Sequence, residues 1–242
     1  MKKIFALAAT ALVLAAPAMS AQEEGPSIND IAAYMAINSS TVGALPPLAT
    51  NTLTGAGGIG WHLQYGRMDW GSEVNSSSFA GGLDLSVGSG RLGLTAGYMS
   101  IDCPTGVDCE GHLIVGTRYS AQLTGGALGD ARSGSRWAMG LEGELGFGFP
   151  EDEQAMALAA SLPIKLTVGK NVKVSPFLAP GFAYGRYKVS DESESGQRFM
   201  VGGGVGLAFA NGIGANVGVR KVFIEEGETQ FGLGFTIRPG SK

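Results

Sequence analysis

The residues of this chain that could carry out acid–base or ion-transport chemistry are charged side chains placed singly within alternating runs of sequence. Seven of them fall on the small, polar side of the alternation: Asp84, Arg118, Glu142, Glu144, Lys165, Arg198 and Arg220. Charges that face a narrow interior must pair or be hydrated. A salt-bridge network that closes the interior is therefore the favoured interpretation.

Two other interpretations of these charges remain open. They could line a small gated pore, or a proton-active catalytic group could lie among Glu142, Glu144, His62 and His112. We predict that the protein is not an enzyme, because no Asp–His pair is expected at a strand top. A Ser–His arrangement from distant parts of the chain stays compatible with the sequence.

The two cysteines stand six residues apart, with Pro104 and Gly106 between them to form a turn. This predicts a disulfide between Cys103 and Cys109 that staples an exposed loop. His112 follows closely and raises the alternative of a zinc site, but three ligands are too few for a closed structural site. No metal and no cofactor is predicted.

The elements that must position these charges are strands, because the sequence alternates with a period of two from Leu53 onward. One face of each run is large and apolar, and the other is dominated by Gly, Ala and Ser. That contrast suits lipid on the outside and a narrow lumen within. The fold predicted is all-β: an antiparallel up-and-down transmembrane β-barrel of about ten strands, with eight to twelve compatible. The runs begin near Ile59, Leu83, Leu92, Leu113, Trp137, Met156, Lys173, Phe199, Ile213 and Phe231.

Prolines and connections refine this prediction. Pro163 interrupts the sixth run, and Pro176 and Pro180 predict bulges or weak pairing in the seventh, because proline donates no ladder hydrogen bond. Short glycine-containing links alternate with longer acidic ones, including one predicted from Val189 to Gln197. Outer-membrane barrels show tight periplasmic turns and longer outer loops, and an even strand count places both termini in the periplasm.

The start of the chain has the features of a secretory signal: two lysines, an apolar stretch and small residues before Gln22. We divide the chain into a signal peptide (1–21), an N-terminal extension (22–52) and the barrel (53–242). The extension is expected to be mostly irregular or a short helix, lying in the periplasm, in the lumen or as an extra strand. The net charge of −4 and the lack of a basic cluster argue against nucleic acid as a partner.

Glycine is the outlier in composition, at 40 of 242 residues, and it lies inside the alternating runs. Glycine weakens an ordinary strand, but it is useful where backbones curve tightly or a narrow interior must be filled.

From Leu53 to Arg238 the chain resembles the small outer-membrane β-barrel proteins of Gram-negative-type bacteria, the OmpA- and OmpX-like class. Gln230, Gly232, Phe235 and Ile237 are similar to the C-terminal signal by which the barrel-assembly machinery recognises that class, although five residues follow Ile237 here. The resemblance implies location in the bacterial outer membrane and contact with its lipid and lipopolysaccharide. It also implies passage through periplasmic chaperones and a monomeric state.

Four functions remain in order of preference. The first is a structural or surface-interaction protein with a largely salt-bridge-plugged lumen, and the second is a small porin-like diffusion channel. An outer-membrane enzyme acting on lipid or peptide, and a soluble secreted ligand-binding barrel, follow.

Overall fold

The computed structural model describes residues 28–45, 59–69, 74–103, 109–128, 135–150, 153–223 and 229–238. Within these ranges the chain has two helices and eleven strands. They are α1 (Ile28–Asn38), α2 (Thr41–Ala44), β1 (Ile59–Asp69), β2 (Asn75–Val87), β3 (Gly90–Asp102), β4 (His112–Ala127), β5 (Arg136–Phe149), β6 (Glu153–Ser161), β7 (Ile164–Thr167), β8 (Val172–Val189), β9 (Glu192–Phe209), β10 (Ile213–Val222) and β11 (Thr229–Ile237). The predicted signal peptide lies outside the described residues.

The strands form a closed antiparallel barrel. β1 pairs with β2 on one side and with β11 on the other, from Trp61 opposite Ile237 to Met68 opposite Gln230. β6 and β7 both pair with β5 and β8, so together they occupy one strand position. The barrel therefore has ten strand positions, and the predicted all-β transmembrane architecture is confirmed.

Proline breaks the ladder at one position and not at the others. β6 and β7 are separated at Leu162 and Pro163, where the Leu162 amide donates to the Pro180 carbonyl at 2.9 Å and the Gly140 amide donates to the Pro163 carbonyl at 2.9 Å. β8 pairs with β9 along its whole length, through both Pro176 and Pro180. The expectation of weak pairing in this run is wrong where β8 pairs with β9. Pro176 and Pro180 lack an amide proton on the edge of β8 that faces β6 and β7, so their pairing with β9 is kept.

Side chains alternate between the two faces of the barrel wall as the period of two predicts. On β1, His62 and Gln64 are buried, whereas Trp61 is 57% exposed. Phe79 and Phe235 are similarly exposed on the outer face. Large apolar side chains on the outside and polar ones inside are typical of a barrel that faces lipid.

The described residues contain no helix that is both long enough and apolar enough to span a bilayer.

The two ends of the barrel differ, and we name them by their connections. At the turn end, β2 meets β3 at Gly88, whose φ is +58°, and β9 meets β10 at Gly212, whose φ is +82°. These are backbone conformations that favour glycine. β1 begins and β11 ends at this turn end, and the opposite end is the loop end.

One predicted loop is wrong. The stretch from Val189 to Gln197 is not a long link, because β8 and β9 continue until a tight turn at Ser190 and Asp191. Ser190 has a φ of +53°. The polar residues that the sequence predicts as a loop therefore belong to β8 and β9, and they project at the loop end.

Candidate functional site in the barrel lumen

The segment before the barrel folds as two short helices. Ala32, Ala33 and Ala36 favour a helix in α1, and these three are buried. Ser40 connects the helices: its hydroxyl donates to the Ile37 carbonyl at 2.8 Å and accepts from the Val42 amide at 3.3 Å, which caps α2. We call residues 28–45 the helical segment.

The helical segment lies inside the barrel, in its loop-end half. α1 contacts β6, β8 and β9, whereas α2 contacts β1, β4, β5 and β6. Two groups of buried apolar side chains join segment and wall. The first contains Tyr34, Ile37, Val42, Ala157, Ala159, Ala183, Met200 and Val222, and the second contains Ala44, Leu45, Ala80, Met99 and Ile114. The segment therefore crosses the lumen from one wall to the opposite one.

Two polar side chains of the wall bind backbone carbonyls of the segment. The Nε2 atom of His112 lies 2.9 Å from the Ser39 oxygen. The Ser78 hydroxyl donates to the Ala44 oxygen. His112 faces the lumen as its position in the alternation indicates, and its ring serves as an anchor for the segment.

Glycines of the wall form the surface on which the segment rests. A Cβ atom added at Gly148 would lie 1.8 Å from the Ser39 oxygen, one at Gly185 would lie 2.3 Å from the Ala33 oxygen, and one at Gly66 would lie 2.2 Å from the Ala44 oxygen. At Gly116 and Gly146 it would lie 2.0 and 2.5 Å from the Thr41 hydroxyl oxygen. We call these five residues the glycine seat, because any side chain there would displace the segment.

A layer of charged side chains lies directly beside the glycine seat, on the side of the turn end. It begins at the next inward-facing residues of the wall strands. Arg220 donates two hydrogen bonds to Glu144, at 2.9 and 3.4 Å. Arg118 lies 4.0 Å from Glu142. His62 Nδ1 lies 3.4 Å from Asp84. The structure thus brings five of the seven predicted network residues into ion pairs or close approach, with His62 as a sixth member.

Lys165 and Arg198 complete the predicted set at other positions. Lys165 is buried on β7, with 2% of its surface exposed. Arg198 is half-buried on β9, near the level of the helical segment, and donates to the Gln197 carbonyl at 2.5 Å. The predicted network therefore extends over two levels of the lumen, and Arg198 belongs to the level of the segment.

Two buried arginines were not predicted as part of the lumen. Arg91 and Arg238 are 4% and 8% exposed, and both lie at the turn end. The sequence assigns them to the periplasmic strand ends, because they flank turn or tail residues. Arg91 stands two residues before Gly93, and Arg238 stands two residues after Thr236, so each arginine shares the inward side of the alternation with that neighbour. This spacing could have placed both arginines in the lumen.

His62 also approaches a hydroxyl group. Its Nε2 atom lies 3.0 Å from the Thr95 Oγ1 atom. The ring passes over Gly82, where an added Cβ would lie 2.5 Å from Nε2. Thr95, His62 and Asp84 therefore follow the order of nucleophile, base and orienting acid. His62 and Asp84 are buried, so a substrate would have to enter the lumen to reach them.

A groove of about 400 Å³ adjoins Thr95 and Gly82. Its remaining lining is Leu83, Leu94, Val115, Gly116, Thr117, Leu145 and Phe147. Leu94 is 45% exposed and points out of the barrel, so the groove opens on the lipid-facing wall.

The other predicted site residues have clear positions. Cys103 and Cys109 are bonded to each other beside the loop end, which confirms the predicted disulfide. Gln230 and Gly232 face inward on β11, and Phe235 and Ile237 face outward. Among the described residues, no group of three or more His, Cys, Asp or Glu side chains is placed to hold a metal ion.

Comparison with known proteins finds matches in three-dimensional structure. No family model matches the chain, and no curated protein matches its sequence. The outer-membrane enzyme PagL matches with a TM-score of 0.38 and 12% identity, over 73% of this chain and 99% of that one.

Two domains of autotransporters also match. The β domain of the Bordetella autotransporter Brka has a TM-score of 0.46 and 13% identity, over 76% of this chain and 100% of that one. The transport unit of the Escherichia coli autotransporter AIDA-I has a TM-score of 0.43 and 11% identity, over 90% and 100%. The chain is thus similar in structure to β-barrel proteins of the outer membrane.

Proposed function

We propose that this protein is an integral barrel of the bacterial outer membrane whose lumen is closed by its own helical segment and by the charged layer. It acts as a structural or surface-interaction protein and not as an open pore. The turn end faces the periplasm and the loop end, with its disulfide, faces outward. The chain is exported through its signal peptide, is assembled by the barrel-assembly machinery and remains a monomer.

The glycine seat carries this proposal. Five wall positions lack a side chain at the places where the segment contacts the wall, and at three of them an added Cβ would approach a segment carbonyl oxygen to 2.3 Å or less. A wall shaped to this backbone favours permanent occupation of the lumen, because close packing leaves little free volume. The ion pairs fill the next level. The plug is thus made of backbone and apolar side chains as well as salt bridges.

We also propose that the Thr95–His62–Asp84 arrangement is structural. It links β1, β2 and β3 through His62 and Asp84, which are both buried, and buried polar groups are normally hydrogen-bonded. A lipid- or peptide-hydrolysing activity that the wild type has and His62→Ala lacks would contradict this assignment.

Conductance measurements test the proposed closure. Folded full-length protein in planar bilayers should give no steady conductance steps, and insertion is verified by its heat-dependent mobility on gels. Steady steps from the wild type would refute a closed lumen. Recovery of the mature protein in the aqueous phase without detergent would instead refute its location in the membrane.

A further inference from the structure

The outer face of the barrel wall carries basic side chains towards the loop end. Arg186 and Lys188 alternate on β8 with Gly185, which contacts the helical segment, so both side chains point away from the lumen. Lys221 points outward on β10, because the adjacent Arg220 is buried in the lumen. We call Arg186, Lys188 and Lys221 the outer basic group.

The cross-strand neighbours of the outer basic group are all neutral. They are Met156 and Ser195 for Arg186, Gln154 and Ser193 for Lys188, and Val201 and Thr229 for Lys221. The acidic residues of the same hairpin, Glu192 and Glu194, have the opposite parity on β9 and share the side of Gly196, which contacts the helical segment. The alternation therefore separates the charges of the hairpin, with the basic ones on the outer face.

Two members of the group make contacts that keep them on the outer face. Arg186 donates to the Ser193 hydroxyl at 3.1 Å, which uses one of the five N–H donors of its guanidinium. The Lys221 Nζ atom lies 5.9 Å from the centre of the Phe223 ring, a cation–π contact. Both partners are uncharged, so neither contact neutralises the cation.

An aromatic cluster lies on the same face. The Phe182 and Phe199 rings meet edge to face with centroids 5.3 Å apart, and the Phe199 and Phe223 centroids are 5.5 Å apart. Phe182 is 51% exposed on the outer wall. Along β8 the outward side chains thus change from apolar at Phe182 to basic at Arg186 within four residues. Such a change is typical of the level at which lipid headgroups replace acyl chains.

We propose that this face binds lipopolysaccharide, with the outer basic group on its phosphate groups and the aromatic cluster on its acyl chains. Arginine and lysine are the side chains that bind phosphate through charge-assisted hydrogen bonds. Ser195 and Val201, which lie opposite Arg186 and Lys221, are six residues apart on β9, so the group extends over about 20 Å of that strand.

This length selects the kind of lipid. A face that extends over about 20 Å suits a lipid with more than one phosphate group, which favours lipopolysaccharide over a phospholipid with a single one. The inference rests on the proposed function, because lipopolysaccharide reaches this face only in an outer membrane with the loop end outward.

Neutralising the cations tests the site. The test variant replaces all three residues of the outer basic group by glutamine. The matched control, Arg136→Gln with Lys170→Gln and Lys173→Gln, also removes one arginine and two lysines, from exposed positions at the turn end. The full-length proteins are folded in micelles of a zwitterionic detergent, and heat-dependent mobility on gels verifies that both variants fold.

Calorimetric titration with lipid A, the phosphorylated anchor of lipopolysaccharide, measures binding. The wild type and the control should bind diphosphorylated lipid A equally well, and the test variant should bind it about 10- to 100-fold more weakly. The wild type should bind monophosphorylated lipid A more weakly than the diphosphorylated form, and phosphatidylglycerol more weakly still.

The binding results decide the site and its ligand. Unchanged binding by the test variant, or an equal loss in the control, overturns the site. Equal affinity of the wild type for lipid A and phosphatidylglycerol overturns the assignment to lipopolysaccharide. Either result leaves the proposed function intact.

A separate measurement decides the orientation. Lys188→Cys in cells of a Gram-negative host should be labelled by a maleimide that does not cross membranes. The two cysteines of the sequence already form the disulfide, so the added thiol is labelled alone. A thiol that is protected in intact cells and labelled after lysis overturns the outward position of the loop end, and the inference fails with it even if lipid A binds in micelles.

Discussion

Removing the Glu144 carboxylate should destabilise the barrel strongly, because it would leave a cation inside without its acceptor. Arg220 donates two hydrogen bonds to Glu144, and its side chain is 3% exposed. Arg118 lies opposite Glu144 in the strand register and would lose a second acidic neighbour. Breaking a buried ion pair from one side costs about 3–5 kcal/mol.

The predicted loss can be measured as a shift in the urea midpoint. For Glu144→Gln, a loss of about 3 kcal/mol corresponds to a shift of roughly 1–3 M when the slope is about 1–3 kcal/mol/M. Glu192→Gln, at the exposed hairpin tip, is the matched control and should change stability by less than about 0.5 kcal/mol.

A double-mutant cycle tests the reason for that loss. Glu144→Leu combined with Arg220→Met removes both charges and should cost much less than either single change, since apolar replacement of a buried pair is often neutral. A Glu144→Gln protein as stable as the wild type, or a double variant whose loss equals the sum of the singles, would refute the idea of a desolvated, coupled pair.

Three further predictions follow from the wall, the seat and the loop. Gly148→Ala should destabilise the seated state by about 1–3 kcal/mol and raise maleimide labelling of Ala36→Cys by about 5- to 150-fold, while Gly143→Ala leaves it unchanged. Phe235→Asp should block insertion into lipid vesicles because Phe235 is 56% exposed on the outer wall. Deletion of residues 239–242 should not block insertion. Normal insertion of the Asp variant would count against β11 both as a lipid-facing closing strand and as an assembly signal. Joint replacement of Cys103 and Cys109 by Ser should speed proteolysis of the intervening loop without moving the urea midpoint of the barrel, and a lowered midpoint would show that the loop stabilises the whole fold.

The strands were predictable because their signal is local. Trp61, Leu63 and Tyr65 alternate with His62 and Gln64. A series of such runs indicates which residues share a face of the wall and which of the two faces points inward. The disulfide was predictable for the same reason, since six residues separate its cysteines. β1 pairs with β11, which leaves the sheet without an open edge, as a closed barrel requires.

The position of the helical segment was not predictable, because it depends on contacts between residues far apart in sequence. Ser39 meets Gly148 and Ala33 meets Gly185 only after the barrel has formed. The high glycine content signalled a crowded interior, but the sequence does not say which glycines face a backbone. The polar residues near Ser193 were also wrongly predicted to form a loop, because the alternation of apolar and polar residues is absent there although the strand continues.

The seam between β1 and β11 has a consequence for the order of assembly. It joins the first and last strands, so the ring can be completed only after the whole chain has been delivered. The helical segment precedes β1 and crosses the interior between opposite walls. It must therefore be enclosed as the ring closes or enter afterwards through an open end. The rate at which the Ala36→Cys thiol becomes protected, compared with the rate of seam formation, would distinguish an enclosed segment from one that enters last.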